Sequence, residues 1–421
     1  MDMNFIKYLF AICLLFINSQ SMAAGFRIGE QGATAMGRAN AVTASINDVT
    51  AVYFNPAALT SLNANWISVG ATLIAPSTDY ANPASSGTSK ETQLFYPPNL
   101  YAGTYLKDKN LALGLGVYAP FGLGSKWSDT GIFRYEATYT DLKVFNLNPS
   151  VAYRFNSSVS IGGGINYEKL FVTYDKQNPW SAFGGTSDGK THLTGNGAGW
   201  GYNFGILLSP TEKINIGLAY RSRIHFNIHG DVEISDINGV SPQSVFGGAY
   251  FKSDVYLPLD LPDILSVGIA YKFFDQLIIE FDLDWTGWRS FKQLKFDYSD
   301  EKPPFLVDTT IRKDWGNALA LRLGFEYSIN DSFKARAGYA FDHAPLPEDT
   351  FEPRVTDSNR HQITIGSGHI LGRFIFDVAY MAVFFEKRTI ANNKVGNPFT
   401  DINGTYKSFS HLLGVNLSYN F

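Results

Sequence analysis

The last ten residues, Leu412 to Phe421, end in a strict alternation. Val415, Leu417, Tyr419 and Phe421 fall on one face of a strand, and Gly414, Asn416, Ser418 and Asn420 on the other. Side chains of a strand alternate with a period of two, so this pattern means that its two faces meet different solvents. A strand that ends the chain on an aromatic residue in this way resembles the closing strand of an outer-membrane β-barrel, with lipid outside and a polar lumen inside. A soluble edge strand can show the pattern once. Repetition separates the two.

The pattern does recur. From Ala64 onward, fourteen candidate strands begin near Trp66, Asn99, Leu111, Leu142, Val159, His192, Ile214, Ile264, Leu277, Ala318, Phe333, Gln362, Phe374 and Ser408. An even number is needed because the last strand must run antiparallel to the first. The clearest segment is Ile214 to His229, with Ile214, Ile216, Leu218, Tyr220, Ile224, Phe226 and Ile228 on one face. Arg221, Arg223, His225, Asn227 and His229 share the other face and are expected inward. Its sixteen residues exceed an ordinary globular strand and fit a tilted span that continues past the bilayer. Arg154, Glu280, Asp282, Arg322, Glu326, Arg336, Asp342 and Asp377 fall on inward faces of other segments. So many opposed charges point to a lumenal ion-pair network that ties the wall to its contents. A β-sandwich is excluded, since its outer faces would be wet rather than rich in Leu, Phe and Tyr.

Connections set the orientation. Asn156-Ser157-Ser158, Thr211-Glu212-Lys213, Asp275-Gln276 and Asn330-Asp331-Ser332 are tight polar turns of the periplasmic kind. Pro83 to Pro98, Phe121 to Thr140, Asn178 to Lys190, Val232 to Pro262, Phe296 to Asp314 and Ala344 to Ser358 are long and expected outside.

The chain opens with a short charged start, an apolar run from Tyr8 to Ile17, and small residues at Ser21 and Ala23. That is a secretory signal peptide, residues 1–23, with cleavage expected after Ala23. The single cysteine, Cys13, leaves with it, so neither a disulfide framework nor a thiolate metal site is available to the mature chain. A net charge of −4 argues against a nucleic-acid partner. No cofactor is expected. The histidines form no metal-binding cluster: His225 and His229 are about 13 Å apart on a strand. No nucleophile elbow or phosphate loop appears, and Gly162-Gly163-Gly164, mid-strand, is better explained by close packing.

Residues 24–62 do not alternate. They carry Gly25, Gly29, Gly32 and Gly37, many alanines, and Asn55-Pro56-Ala57-Ala58-Leu59. Too apolar for free disorder, the segment is read as a hatch in the lumen of a barrel formed by residues 63–421, rather than a periplasmic tail. The fold class is therefore an all-β transmembrane antiparallel barrel of about fourteen strands with an N-terminal hatch.

Ala24-Gly25-Phe26, Gly37-Arg38-Ala39 and Asn55-Pro56-Ala57 together resemble the hatch of the FadL family, which includes long-chain fatty acid transporters and TodX-type aromatic hydrocarbon transporters. The similarity continues through Pro120-Phe121-Gly122-Leu123, Asn146-Leu147-Asn148, Leu261-Pro262-Asp263, Trp285 with Trp288, and Ala340-Phe341-Asp342, and so covers the mature chain. The resemblance implies a monomer in the outer membrane of a Gram-negative bacterium, with hydrophobic small molecules and outer-membrane lipid as its partners. Substrate would be captured outside, passed to a pocket near the N-terminus, and released sideways into the membrane at a kinked third strand, without energy coupling.

The same resemblance assigns roles. Pro120, Phe121 and Gly122 would form the kink, where the third strand is expected to end at Ala119. Phe26 would touch substrate, while Gly37, Arg38, Asn55, Pro56 and Ala57 would seat the hatch. Fatty-acid members hold the substrate carboxylate with basic side chains; Gly316 stands where one such lysine is expected, with Arg312 and Lys313 nearby. An uncharged hydrocarbon substrate therefore stays open beside a fatty acid. A general porin and an outer-membrane lipid enzyme are the readings from other classes.

Overall fold

The computed structural model describes residues 25–82, 85–391 and 399–421, so the signal peptide and its cleavage site lie outside the described residues. Fourteen antiparallel strands close into a barrel. In order they are Trp66–Asn82, Pro98–Leu106, Leu111–Lys126, Tyr139–Asn156, Val159–Asn178, Gly189–Thr211, Ile214–Arg221 with Ile224–Ser235, and Phe251–Leu261 with Ile264–Phe274. They continue with Leu277–Thr286 and Gln293–Tyr298, Thr309–Arg312 and Ala318–Asn330, Phe333–Asp342, Arg360–Leu371, Phe374–Phe385 with Arg388–Ile390, and Gly404–Asn420. The first and last strands pair continuously from Trp66↔Asn420 to Ala81↔Thr405. At the lower rim the N–H of Phe421 donates to Asn65 and that of Asn65 to Phe421.

Alternation sorts the two faces. Ile67, Val69, Leu113, Leu115, Leu147 and Val151 point outward, whereas Ser68, Asn99, Asn146, Asn148, Asn166 and Asn416 are buried facing the lumen. Lipid cannot satisfy a polar group, so the polar phase must turn inward wherever the wall meets hydrocarbon.

Above the membrane this rule reverses. In the seventh strand Arg221 is buried inward, and two residues then oppose one of the sixth strand: Asn203 faces Arg221, but Asn196 faces His229. This bulge at Ser222-Arg223 turns the following residues over. Ile224, Phe226 and Ile228 enter the core, and Arg223, His225, Asn227 and His229 face outward. The eighth strand reverses likewise across Pro262-Asp263, with Leu261 and Ile264 both buried. There the outer face meets water and the inner face packs an apolar core, so the apolar phase of the sequence runs on unbroken while the wall flips beneath it.

Three expectations change accordingly. Arg223 is not lumenal; half-exposed on the outer surface, it reaches Asp263 at 3.5 Å. His225 also points out, 2.7 Å from Asp260. About half of the stretch Val232 to Pro262 is strand rather than loop, since Phe251–Leu261 pairs with Ile224–Ser235.

Residues 25–62 lie within the wall as turns, two four-residue helices (Ala33–Met36 and Ala51–Phe54) and the 3-10 helix Pro56–Ser61. Asn55 starts the last of these: its side-chain oxygen accepts from the Ala57 N–H at 3.1 Å, and Pro56, lacking an N–H, suits the first helical position.

Candidate functional site

The wall is interrupted at the third strand. Two of its residues oppose one of the fourth strand between Tyr118↔Asn146 and Phe121↔Val144, so the strand bulges at Ala119-Pro120. It does not end there: pairing with the fourth strand resumes and runs to Lys126. Pairing with the second strand does stop, at Asn99↔Tyr118. Above that point the chain preceding Pro98 leans onto the first strand instead, where Ile74 and Phe95 exchange N–H to carbonyl bonds of 2.8 and 2.9 Å. One edge of the third strand is thereby vacated.

The N-terminal segment fills that edge as a strap. The Gly122 N–H donates to Phe26 O (3.1 Å), and the Ile28 N–H donates to Pro120 O (2.9 Å). Proline has no donor to lose, and its carbonyl is the group the strap uses. The Gln31 side chain adds a bond to Ala119 O at 2.7 Å. Gly122 is required by approach, since a Cβ there would lie 2.8 Å from Ile28 Cδ1.

Beside the strap a cavity of about 990 Å³ passes through the wall. Its inner side is lined by Ile74, Phe121, Val383 and Leu412, and its outer side by Leu94, Tyr96 and Phe145, all exposed on the lipid-facing surface. The ring of Phe95 lies over Gly124 and narrows the passage, for a Cβ on Gly124 would collide with it. Phe26 lines the inner end. It packs edge-on against Trp288 (4.6 Å between centroids), Trp315 (5.8 Å), Phe291 (6.1 Å) and Phe121 (6.3 Å), the floor of the apolar core above. The Gly25 N–H donates to Asp357 at 3.2 Å; burial raises that carboxyl to about 6.

Below the strap, charged groups on the wall grip the hatch. Asp282 accepts from the Val42 and Thr43 N–H groups, both at 2.9 Å, and Glu280 accepts from Ala44 N and from Arg38 at 3.1 Å. Arg322 pairs with Asp284 (3.0 Å) and Asp342 (3.3 Å) and donates to Ala39 O. Arg336 bridges Glu326 and Asp377 at 2.8 and 2.6 Å. Arg221 donates to Tyr53 O, Arg154 to Thr60 O, and the Thr364 hydroxyl to Gly37 O. Asn55 donates to Thr43 O and Ile206 O, joining hatch to wall. Burial of these charges is tolerable because each is paired or hydrogen-bonded.

Gly162 marks a tight seat: a Cβ there would lie 2.6 Å from the backbone of Pro56 and Ala57. Replacing Gly162 by valine is expected to unseat the hatch and raise the conductance of the reconstituted protein. A folded valine variant that stays closed would contradict that seat.

The strap brings Phe26, Pro120, Phe121 and Gly122 together at the cavity. Arg312 and Lys313 are elsewhere. Arg312, largely exposed, pairs with Asp349 and Asp314, and lines a separate cavity of about 580 Å³ at the long-loop end of the barrel. Lys313 is buried and its ammonium is held by Glu352. Neither lines the wall cavity, and both charges are already met. The sequence reading missed Phe95, Gly124 and the strap itself; only the glycine-rich Gly122-Leu123-Gly124 hinted at a close approach.

The sequence pattern of the family described as outer membrane protein transport protein (OMPP1/FadL/TodX) matches residues 14–421. The long-chain fatty acid transport protein of Escherichia coli K12 is 28% identical over 408 residues, covering 88% of this chain and 89% of that protein. Outer membrane protein P1 of Haemophilus influenzae is 27% identical, covering 99% and 100% respectively. The crystal structure of a Pseudomonas aeruginosa FadL homologue superposes with a TM-score of 0.83 at 20% identity, over 94% of this chain and all of that one. The Pseudomonas putida toluene transporter TodX gives 0.73 at 16% identity, over 96% and 100%.

Proposed function

Since the chain belongs to the FadL/TodX family of outer-membrane transport proteins, we propose that it carries hydrophobic molecules passively into the outer membrane of a Gram-negative cell. Long-chain fatty acids are the favoured substrate, and the protein acts as a monomer after loss of residues 1–23. Residues 24–62 close the lumen to water. Substrate gathers in the apolar extracellular core, reaches Phe26 and leaves through the wall cavity when the strap shifts from the third strand. The observation that carries this reading is the cavity itself, which runs from lumen-facing Leu412 to lipid-facing Phe145 and meets residues 24–62 only at their N-terminal end, Gly25 to Glu30. Its volume of about 990 Å³ is at the upper end for small-molecule sites, which run to roughly 1,000 Å³, and suits a long chain.

A neutral aromatic hydrocarbon is the second reading. It is favoured by the pairing of Arg312 and Lys313 with Asp349 and Glu352, which leaves neither cation for a substrate carboxylate.

Deletion of Pro120 tests the route. It removes the extra residue of the bulge, so that Tyr118 and Phe121 become regular inward partners of Asn146 and Val144. The deletion also removes the Pro120 carbonyl that the Ile28 N–H uses, and a regular third strand can re-pair with the chain preceding Pro98 and close the gap. Uptake of labelled oleate and of toluene should fall to the level of cells without the protein, with normal heat-modifiable gel mobility. Undiminished uptake by the folded variant would refute the route.

A further inference from the structure

Most cations near the wall cavity already have a carboxylate. Arg27 lies 3.2 Å from Asp284, Arg360 3.1 Å from Asp342, and Lys143 2.6 Å from Asp141, while Lys126 contacts Glu91. Lys90 differs. Among the described residues no carboxylate oxygen lies within 4.0 Å of its ammonium. The ammonium donates to the Thr356 hydroxyl at 3.0 Å and lies 5.6 Å from the centre of the Trp127 ring. Thr356 in turn is 3.3 Å from the Thr78 hydroxyl, which is 2.9 Å from that of Ser408.

These groups line a small recess of about 90 Å³ on the lumenal side of the first and last strands. The recess shares Pro76, Gln93, Gly124, Phe385 and Ser410 with the wall cavity, so the two are contiguous. A long apolar cavity thus ends in one ammonium and three hydroxyls. Glu91 also borders the recess, but its carboxylate is engaged by Lys126.

We propose that Lys90 is a specificity-determining residue, holding the carboxylate of a long-chain amphiphile whose tail lies in the wall cavity. The assignment rests on the transport reading above and adds to it the residue that holds the headgroup. A carboxylate accepts hydrogen bonds only, and the recess offers an ammonium and hydroxyls free to rotate toward it. Partial burial lowers the Lys90 ammonium to about 7, a cost that an arriving carboxylate offsets by pairing with it. A neutral chain of equal length would fill the cavity and leave these polar groups unanswered.

Equilibrium binding of radiolabelled oleate and oleyl alcohol to the full-length protein in detergent tests this. Lys90→Met should weaken oleate binding by roughly tenfold or more and leave oleyl alcohol within about twofold, since the ion pair to the ammonium exists for oleate only. Lys90→Arg should restore most of the oleate affinity. The assignment is overturned if Lys90→Met binds oleate as the parent does, or if both ligands weaken equally, which would make Lys90 a packing residue. If the parent protein binds neither ligand, the transport reading fails first and takes the assignment with it.

Discussion

Barrels lacking residues 24–62 are expected to fold and to conduct ions, whereas the full chain is expected to be nearly silent in a planar bilayer. The wall closes without the hatch, through continuous pairing of the first and last strands from Trp66 to Ala81. Loss of the hatch strips partners from Glu280, Asp282, Arg322 and Arg221, whose bonds to residues 38–53 hold it in place. These groups are not left dry, because water enters a lumen of this width and solvates them. Heat-modifiable gel mobility reports the folded barrel, and steady conductance reports the opening. A truncated barrel that folds and stays closed would show that residues 24–62 do not seal it.

Strand number was legible because lipid and lumen together force a period of two over most of the chain. Thirteen of the fourteen expected starts fall within a few residues of an observed barrel strand's start; the eighth strand begins at Phe251, ahead of Ile264. The direction of each face was less legible. Ile214, Ile216, Leu218, Ile224, Phe226 and Ile228 form one apolar phase, yet the first three meet lipid and the last three meet protein. A single extra residue at Ser222-Arg223 reverses the wall at the height where lipid gives way to water outside. The two changes cancel in the sequence, and this is why Arg223 and His225 read as lumenal.

The site was legible in part for a similar reason. Pro120 and Gly122 announce an interrupted strand, since one cannot donate and the other packs little. They do not announce what covers the vacated edge. Phe26, Arg27 and Ile28 pair through backbone groups, which any residue carries, so no pattern marks them as a strap. Arg312 and Lys313 read as free cations because Asp349 and Glu352, which neutralise them, lie more than thirty residues away on another connection.

The central claim is that substrate leaves sideways past the strap, and one reversible crosslink tests it most directly. Arg27 and Phe121 are antiparallel partners flanked by the Gly122 N–H to Phe26 O and Ile28 N–H to Pro120 O bonds. Such a non-hydrogen-bonded pair brings Cα atoms to about 4.5 Å, within disulfide range. Cysteines at both positions meet no competing thiol in the described chain. The oxidised Arg27→Cys, Phe121→Cys protein should be folded and silent to ions, because the hatch is undisturbed. It should take up neither oleate nor toluene, and reduction should restore uptake of the true substrate. Uptake at the same rate before and after reduction would contradict lateral release and place the route through the lumen.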